Sequence, residues 1–273
     1  MDKYVVFGNP ISHSKSPLIH SLLAKQTNQT IEYTYIEADT DKFTAAVNAF
    51  RENGGKGCNV TSPFKDEAYQ LADHKSEDAL LAEAANTLTF NDDGTISAHT
   101  TDGAGFLLDL KNNNAPLTGK RILLIGAGGA AKGVIKPLLE TQPALLSICN
   151  RTVEKAEQLV ERFKSFGNID AITANELESL TTPYDLIINS TSASLHGELP
   201  PVPAAMFAGC SFVYDMAYAN EPTIFMNWAN EHNAPIVIDG LGMLVGQAAE
   251  SFEVWRKVKT NIPPILEAVR ATL

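Results

Sequence analysis

Residues 126–131 have the composition and spacing of a loop that binds phosphate. They read Gly-Ala-Gly-Gly-Ala-Ala and follow the apolar run 121–125, which is typical of a buried parallel strand. Gly126 permits a tight turn, Gly128 lets a pyrophosphate approach the backbone, and the small Ala131 lets the next helix pack closely. The N–H groups at the start of that helix would bind the anion. The motif predicts a dinucleotide site; the alternative is a glycine-rich turn in another α/β fold.

The residues after the next predicted strand, 145–149, indicate which dinucleotide is bound. NAD-binding folds place an Asp or Glu there to accept a hydrogen bond from the ribose 2′-hydroxyl. This chain has Asn150, Arg151 and Thr152 instead, with Lys155 about one turn later. A guanidinium can bind a 2′-phosphate through two charge-assisted hydrogen bonds, whereas a carboxylate would repel it. Arg151 and Lys155 therefore favour NADP. The alternative, two solvated cations, is disfavoured because a helix N-terminus is already positive.

Two serines near the N-terminus have side chains that can bind a carboxylate. Ser14 and Ser16 lie in the segment Ser-His-Ser-Lys-Ser-Pro, residues 12–17. Their hydroxyl groups can donate hydrogen bonds to an anion, and the start of a helix adds a favourable potential. Ser16 followed by Pro17 predicts the N-cap and first position of a helix that runs to about Gln26. The alternative is that Ser16 only caps this helix.

Lys65 is the main candidate for proton transfer. It follows Pro63 in the first turn of a predicted helix, where the helix dipole disfavours a cation. This unfavourable position suggests a function, although a surface lysine would be the simpler explanation if Lys65 stood alone. Asn86, Thr101 and Asp102 lie at the ends of other predicted elements. Because ligands of open α/β sheets gather beyond the carboxyl ends of strands, we expect these groups to share one site.

Strand-like and helix-like segments alternate along the chain, which predicts an α/β fold with mainly parallel sheets covered by helices. The apolar runs 186–189, 212–215 and 235–238 are typical of further buried parallel strands. Between residues 87 and 99, two strands flank Asp-Asp-Gly, which predicts a hairpin.

The pattern predicts two lobes. The first, residues 1–102, would be an α/β substrate-binding and catalytic domain. The second, residues 103–241, would be a Rossmann-type NADP-binding domain. Helices over about 242–273 would return to the first lobe.

The composition argues against several classes of protein. Hydrophobic residues make up 44% and charged residues 19%, which is an ordinary globular mixture. The formal net charge of −11 disfavours binding to nucleic acid or an anionic membrane. Three widely separated cysteines indicate neither a disulfide framework nor a metal site. No signal peptide is visible, and no apolar run approaches the ~18 residues that span a bilayer. We therefore predict a cytoplasmic protein with a small-molecule substrate, either a monomer or a homodimer.

A series of motifs, in order along the whole chain, resembles those of the shikimate dehydrogenase family. Residues 7–17 resemble the opening motif of the family, and residues 55–65 resemble its catalytic-lysine motif. Further matches are residues 85–87 and 101–103, the NADP loops at 126–130 and 150–152, and the C-terminal motif at 239–247.

The resemblance implies a reversible, NADPH-dependent reduction of 3-dehydroshikimate to shikimate, in the pathway to chorismate and the aromatic amino acids. Lys65 would be the acid/base group, paired with Asp102 across the cleft between the lobes, and Ser14 and Ser16 would bind the ring carboxylate. The ligands of the ring hydroxyls would be Thr61, Asn86, Asp102, Tyr218 and Gln247. The cofactor would contact Glu77, Gly126, Ala127, Gly128, Gly129, Ala130, Asn150, Arg151, Thr152, Lys155, Met216 and Gly240.

Two positions depart from the usual family pattern: Thr100 replaces an Asn, and Ser62 often corresponds to an aliphatic residue. Either change could alter substrate affinity. Three alternatives remain open: a quinate/shikimate dehydrogenase with relaxed substrate and cofactor use, a two-lobed dehydrogenase acting on a folate, and a non-catalytic dinucleotide-sensing protein. Nothing in the sequence indicates a pocket for a pterin, and the presence of both Lys65 and Asp102 argues against the sensor.

Overall fold

The chain forms two compact units, and the computed structural model describes all 273 residues. The first unit comprises Met1–Gly105 and Leu244–Thr272, and the second comprises Phe106–Met243 and Leu273. The predicted boundaries, after residues 102 and 241, lie within three residues of these divisions. No helix combines the length and apolar character needed to cross a membrane.

The first unit contains a mixed six-stranded sheet. Its strands are β1 (Asp2–Gly8), β2 (Ile31–Glu37), β3 (Gly55–Val60), β4 (His74–Lys75), β5 (Thr87–Phe90) and β6 (Ile96–His99). Their order is β2-β1-β3-β5-β6-β4. Strands β1, β2 and β3 run parallel, and so do β4 and β6. Strand β5 is antiparallel to both β3 and β6, which confirms the predicted hairpin.

The second unit contains a fully parallel six-stranded sheet. Its strands are β7 (Arg121–Ile125), β8 (Leu145–Cys149), β9 (Ile169–Ile172), β10 (Leu186–Asn189), β11 (Phe212–Asp215) and β12 (Val237–Ile238). Their order is β12-β11-β10-β7-β8-β9. Successive strands are added on one side of β7 up to β9 and then on its other side from β10 to β12, and Rossmann-type sheets bind their ligand at this switch point. The continuous apolar sequences of β7 and β10 are buried because helices cover both faces of a parallel sheet. The predicted α/β fold class is therefore confirmed.

Helices connect the strands of both sheets. They are α1 (Ser16–Gln26), α2 (Phe43–Glu52), α3 (Lys65–Leu71), α4 (Glu77–Ala82), α5 (Asp102–Asn112), α6 (Gly129–Glu140), α7 (Val153–Phe163), α8 (Ala174–Glu178), α9 (Ile224–Glu231), α10 (Leu241–Arg256) and α11 (Ile262–Arg270). The divisions between the two units fall inside α5 and α10. Strands β4 and β9 were not predicted, because β4 has only two residues and β9 is a short edge strand.

The start of α1 corrects one prediction. Ser16 is the first residue of the helix, and Lys15, which occupies the N-cap, makes no side-chain capping bond. The Ser14 hydroxyl instead accepts a hydrogen bond from the Ser16 backbone N–H, at 3.2 Å. The helix therefore begins one residue earlier than predicted, because the serine two positions upstream supplies the acceptor that an N-cap side chain would otherwise provide.

Candidate active site

Lys65 and Asp102 form an ion pair in the first unit. Lys65 Nζ lies 2.6 Å from Asp102 Oδ2, and the two side chains are 17% and 7% exposed. Lys65 is the first residue of α3, held there by the preceding Phe64, which is fully buried and stacks on Phe43 at 4.8 Å. Asp102 is the first residue of α5, where a carboxylate is favoured by the helix dipole. Both partners belong to the first unit, within the predicted first lobe of residues 1–102, and the position of the pair at the cleft between the lobes stays a prediction.

Asn86 holds the second oxygen of the Asp102 carboxylate. Its Nδ2 lies 2.9 Å from Asp102 Oδ1, 2.9 Å from Thr101 Oγ1 and 3.2 Å from Gln247 Oε1. Asn86 and Thr101 are both buried. A charge-assisted bond to each carboxylate oxygen fixes the Asp102 side chain in one orientation. Four predicted site residues, namely Lys65, Asn86, Asp102 and Gln247, therefore lie in one cluster.

Gln247 reaches this cluster because α5 and α10 approach each other closely. A Cβ on Gly105 would lie only 2.3 Å from the Gln247 backbone nitrogen. Only glycine permits this approach, which places the backbone carbonyl of Gln247 3.0 Å from Thr101 Oγ1. The sequence motif around Gln247 indicated a functional residue, but Gly105 was not recognised as the residue that makes room for it.

Three buried polar residues next to this cluster were missed by sequence analysis. Asn59 on β3 donates to Ser251 Oγ on α10 at 2.9 Å and to Thr87 Oγ1 on β5 at 3.1 Å. All three side chains are buried. An available signal was the polar Asn59 between the buried Cys58 and Val60 of a central strand, since buried amides require hydrogen-bond partners.

The other predicted substrate ligands of the first unit lie in the segments that follow β1 and β3. Ser14 and Ser16 lie at the start of α1, and Thr61 directly follows β3, with its backbone N–H bound to the Phe7 carbonyl at 2.9 Å. Ser14 and Thr61 make no hydrogen bond to the Lys65–Asp102 cluster. Glu77 is the exposed first residue of α4.

The glycine loop of the second unit has the geometry that its sequence predicts. Gly126 follows β7 with φ of +111°, a conformation that favours glycine, and a Cβ there would lie 2.5 Å from Ser190 Oγ. Gly128 is exposed and extended, and a Cβ there would meet no protein atom within 4 Å. Helix α6 begins at Gly129, so its first N–H groups are available to an anion. Ala127, Gly129 and Ala130 are half-buried around this open turn.

Basic residues follow β8 where a carboxylate would favour NAD. Arg151, Thr152 and Lys155 are exposed at the start of α7, and Asn150 Nδ2 donates to the Thr152 carbonyl at 2.8 Å. The one carboxylate in the first turn of α7, that of Glu154, comes after these residues. The turn therefore offers an unhindered guanidinium to a 2′-phosphate.

Met216 and Gly240 lie against each other in the second unit. A Cβ on Gly240 would lie 2.1 Å from the Met216 carbonyl oxygen, so this contact requires glycine. The Met216 backbone N–H binds the Asn189 carbonyl at 2.9 Å, which fixes the turn after β11. Tyr218 lies in the same turn, and burial raises the pKa of its hydroxyl group.

Three family models match successive parts of the chain. They describe the shikimate dehydrogenase substrate binding domain at residues 6–88, shikimate/quinate 5-dehydrogenase at 109–197, and the shikimate 5′-dehydrogenase C-terminal domain at 240–270. Together they match more than half of the chain.

Individual relatives match the chain over its full length. The NADP(+) shikimate dehydrogenase of Psychromonas ingrahamii is 53% identical over 99% of this chain and 98% of its own. The structure of an Ael1 enzyme from Pseudomonas putida is 43% identical, with a TM-score of 0.91 over 98% of each chain. The shikimate 5-dehydrogenase of Thermus thermophilus, solved with NADP(H) and shikimate, is 27% identical, with a TM-score of 0.88 over 100% of each chain. Because family models, relatives and structures agree with the motifs, the resemblance is confirmed, and the chain belongs to the shikimate dehydrogenase family.

Proposed function

We propose that this protein catalyses the reversible, NADP-dependent interconversion of shikimate and 3-dehydroshikimate. The observation that carries the proposal is the Lys65–Asp102 pair, with 2.6 Å between Nζ and Oδ2, in a chain that is 53% identical to an NADP(+) shikimate dehydrogenase. An ammonium held by a carboxylate is suited to stabilising and protonating an oxyanion. The reaction belongs to the pathway to chorismate and the aromatic amino acids.

The second unit fits a dinucleotide with a 2′-phosphate. The open turn at Gly126 and Gly128, followed by the first N–H groups of α6, is suited to the pyrophosphate. Arg151 and Lys155 would bind the 2′-phosphate, with Asn150 and Thr152 shaping the turn around it. The remaining proposed contacts are Ala127, Gly129, Ala130, Met216, Gly240 and, more weakly, Glu77.

The substrate is proposed to bind through its carboxylate and its ring hydroxyls. Ser14 and Ser16 at the start of α1 would bind the carboxylate, because hydroxyl donors and a helix N-terminus both favour an anion. Thr61, Asn86, Asp102, Tyr218 and Gln247 would bind the ring hydroxyls. The proximity of Asn86, Asp102 and Gln247 in one cluster supports this assignment for three of the five.

Lys65 would manage the proton of the reaction. Bound NADPH supplies the hydride for reduction. In that direction, negative charge grows on the ketone oxygen, and a protonated Lys65 would stabilise this charge and donate its proton. Asp102 would hold the ammonium in place through Oδ2 while Asn86 holds Oδ1. In the oxidation direction, Lys65 would accept the proton from the substrate hydroxyl.

The test is the rise in absorbance of reduced nicotinamide when the purified protein meets shikimate and NADP. We expect turnover with this pair and much weaker turnover when quinate replaces shikimate or NAD replaces NADP. Equal turnover with quinate and NAD would favour the relaxed quinate/shikimate alternative. Binding of NADP without turnover of any hydroxy acid would favour a sensor and overturn the proposal. The cytoplasmic location and the choice between monomer and homodimer stay predictions.

A further inference from the structure

Buried amide and hydroxyl groups adjoin the Lys65–Asp102 pair. We call the following residues the amide–hydroxyl cluster: Asn59, Asn86, Thr87, Thr101 and Ser251. Each is less than a tenth exposed. Because a buried polar group is costly unless it is hydrogen-bonded, the donors and acceptors of this cluster determine how each side chain is oriented.

The orientation of the Asn59 amide is determined at both ends. Its Nδ2 lies 3.0 Å from the Asn86 backbone carbonyl, which can only accept a hydrogen bond. Its Oδ1 accepts from the Tyr33 hydroxyl at 2.7 Å. The same Nδ2 lies 2.9 Å from Ser251 Oγ and 3.1 Å from Thr87 Oγ1. Rotating this amide by 180° would set its oxygen against the Asn86 carbonyl and lose these bonds.

The Asn86 side chain is oriented by Thr101 and by Thr87, and Asn59 binds the second of these. Asn86 Oδ1 accepts from the Thr101 backbone N–H at 2.9 Å and from the Thr87 hydroxyl at 3.0 Å. Asn59 contacts both the Asn86 backbone and the Thr87 hydroxyl. With its oxygen held in this way, Asn86 must present Nδ2 to Asp102 Oδ1. The amide protons of Asn86 then bind protein acceptors, one of which is the Asp102 carboxylate. We therefore infer that Asn86 serves mainly to orient Asp102.

We propose that Asn59 is a positioning residue of the reaction. It fixes Asn86 and Thr87, and through Asn86 it aims the Asp102 carboxylate at Lys65. Tyr33 and Ser251 in turn fix Asn59, one at each end of its amide. The inference rests on the proposed function, because it concerns the pair assigned there to proton transfer.

Two single-hydroxyl deletions test this role without removing any group proposed to touch substrate or cofactor. Ser251→Ala removes one acceptor from Asn59 Nδ2, together with the contacts of Ser251 Oγ to Thr87 and Thr101 and to the Gln247 backbone carbonyl. Tyr33→Phe removes the donor to Asn59 Oδ1 and an interaction of the same hydroxyl with Ser16, but keeps the ring that stacks on His20, with centroids 4.0 Å apart. Tyr35→Phe is the matched control, because Tyr35 lies on the same strand, β2, with a side chain that is 48% exposed.

The expected effect is on the proton-transfer step. For shikimate oxidation, we expect kcat to fall about fivefold in each hydroxyl variant, while KM for shikimate and for NADP stays within about twofold. The solvent deuterium isotope effect on kcat should rise, because a loosened Asp102 slows proton transfer relative to the other steps. Tyr35→Phe should match the wild type in all of these measurements.

Three results would overturn the inference. The first is wild-type kcat and isotope effect in both hydroxyl variants. The second is a loss of kcat that disappears when rates are divided by the concentration of folded protein, with an unchanged isotope effect, because such a loss would come only from reduced folding. The third is a rise in KM for shikimate with unchanged kcat, which would indicate a binding role. Lys65→Met in the same series separates this inference from the proposed function: an active Lys65→Met protein would refute the assigned acid/base group, whereas an inactive one beside wild-type hydroxyl variants would refute only the role of Asn59.

Discussion

We call Lys65, Asn86, Asp102 and Gln247 of the first unit the acid/base cluster. This cluster is proposed to bind its ligand through side chains, whereas the glycine loop of the second unit is proposed to bind its ligand mainly through the backbone. The cluster consists of side chains from α3, α5, α10 and the start of β5, and most of its polar atoms are buried and bound to one another. The loop offers backbone N–H groups and an open turn, with exposed cations after the neighbouring strand.

The difference predicts how each region responds to substitution. In the cluster, each side chain is oriented by others, so removing one group disturbs its neighbours as well as the ligand. In the loop, the backbone conformation and the separate cations act more independently, so single changes should alter cofactor affinity without altering the chemistry. Substitutions in the acid/base cluster should therefore act on kcat, and those in the glycine loop on KM for NADP.

The largest expected effect is that of Lys65→Met. The substitution removes the proposed proton donor but keeps a side chain of similar length, so kcat should fall about a thousandfold with little change in KM for shikimate. Steady-state kinetics in both directions is the measurement. Lys56→Met is the control, since Lys56 is half exposed and only loosely paired with Asp92 at 3.6 Å. A near-normal kcat in Lys65→Met would remove the contrast between the two regions.

Arg151→Ala should act on the cofactor alone. Loss of a two-pronged, charge-assisted contact with a 2′-phosphate should raise KM for NADP about 10-fold to 100-fold. KM for NAD, which lacks that phosphate, should hardly change, and kcat with saturating NADP should stay near the wild-type value. The measurement is the ratio of kcat/KM for NADP to that for NAD. An unchanged ratio would show that Arg151 does not select the cofactor.

The two regions also differ in how far the sequence predicted them. The glycine loop is local: one strand, one turn and one helix start, all within residues 121–140, so spacing alone gave both its position and its ligand class. The second-strand cations were predicted for the same reason. The fold class and the buried strands β10 and β11 followed from apolar runs of the right length.

The acid/base cluster was predictable only in part. Lys65, Asn86, Asp102 and Gln247 were named through a family resemblance, and their distances depend on how β3, β5, α5 and α10 pack. Asn59 and Ser251 are 192 residues apart, yet they share a hydrogen bond in the core. No local pattern encodes such a contact. That Lys65 and Asp102 share one unit agrees with the predicted first lobe of residues 1–102, but the 2.6 Å contact between them depends on how α3 and α5 pack.

A pair of glycine substitutions sharpens the description of the loop. Gly126→Ala should destabilise the protein by about 1–3 kcal/mol, because Gly126 has φ of +111° and a Cβ would lie 2.5 Å from Ser190 Oγ. Gly128→Ala should leave stability within about 0.5 kcal/mol of the wild type, because a Cβ there meets no protein atom within 4 Å. Both variants should raise KM for NADP. Thermal unfolding and cofactor titration separate the two effects, and equal stability of both variants would contradict the role assigned to Gly126.

The smallest expected effect concerns a buried histidine of the first unit. His20 is fully buried and stacks on Tyr33, and burial lowers its pKa from 6.5 to about 3. In the unfolded chain the same side chain takes up a proton near its ordinary pKa of about 6.5. Between these two values the unfolded state binds more protons than the folded state, so stability falls as the pH is lowered. Above pH ~6.5 both states are neutral at this position, and His20 makes no pH-dependent contribution.

His20→Phe should remove this part of the acid sensitivity. Subtracting the variant from the wild type cancels the carboxylates that titrate in both proteins, leaving a difference that changes by at most about 1.4 kcal/mol per pH unit between pH ~6 and ~4. Urea unfolding is best followed in a Trp228→Phe background, where Trp255, the one remaining tryptophan, reports on the first unit from 5.5 Å away from the His20 ring. His13→Phe, which replaces an exposed histidine of the same unit, is the matched control. If His20→Phe keeps the pH dependence of the wild-type free energy of unfolding, the histidine is protonated in the folded state, and the polar groups beside the acid/base cluster are less shielded from solvent than their burial implies.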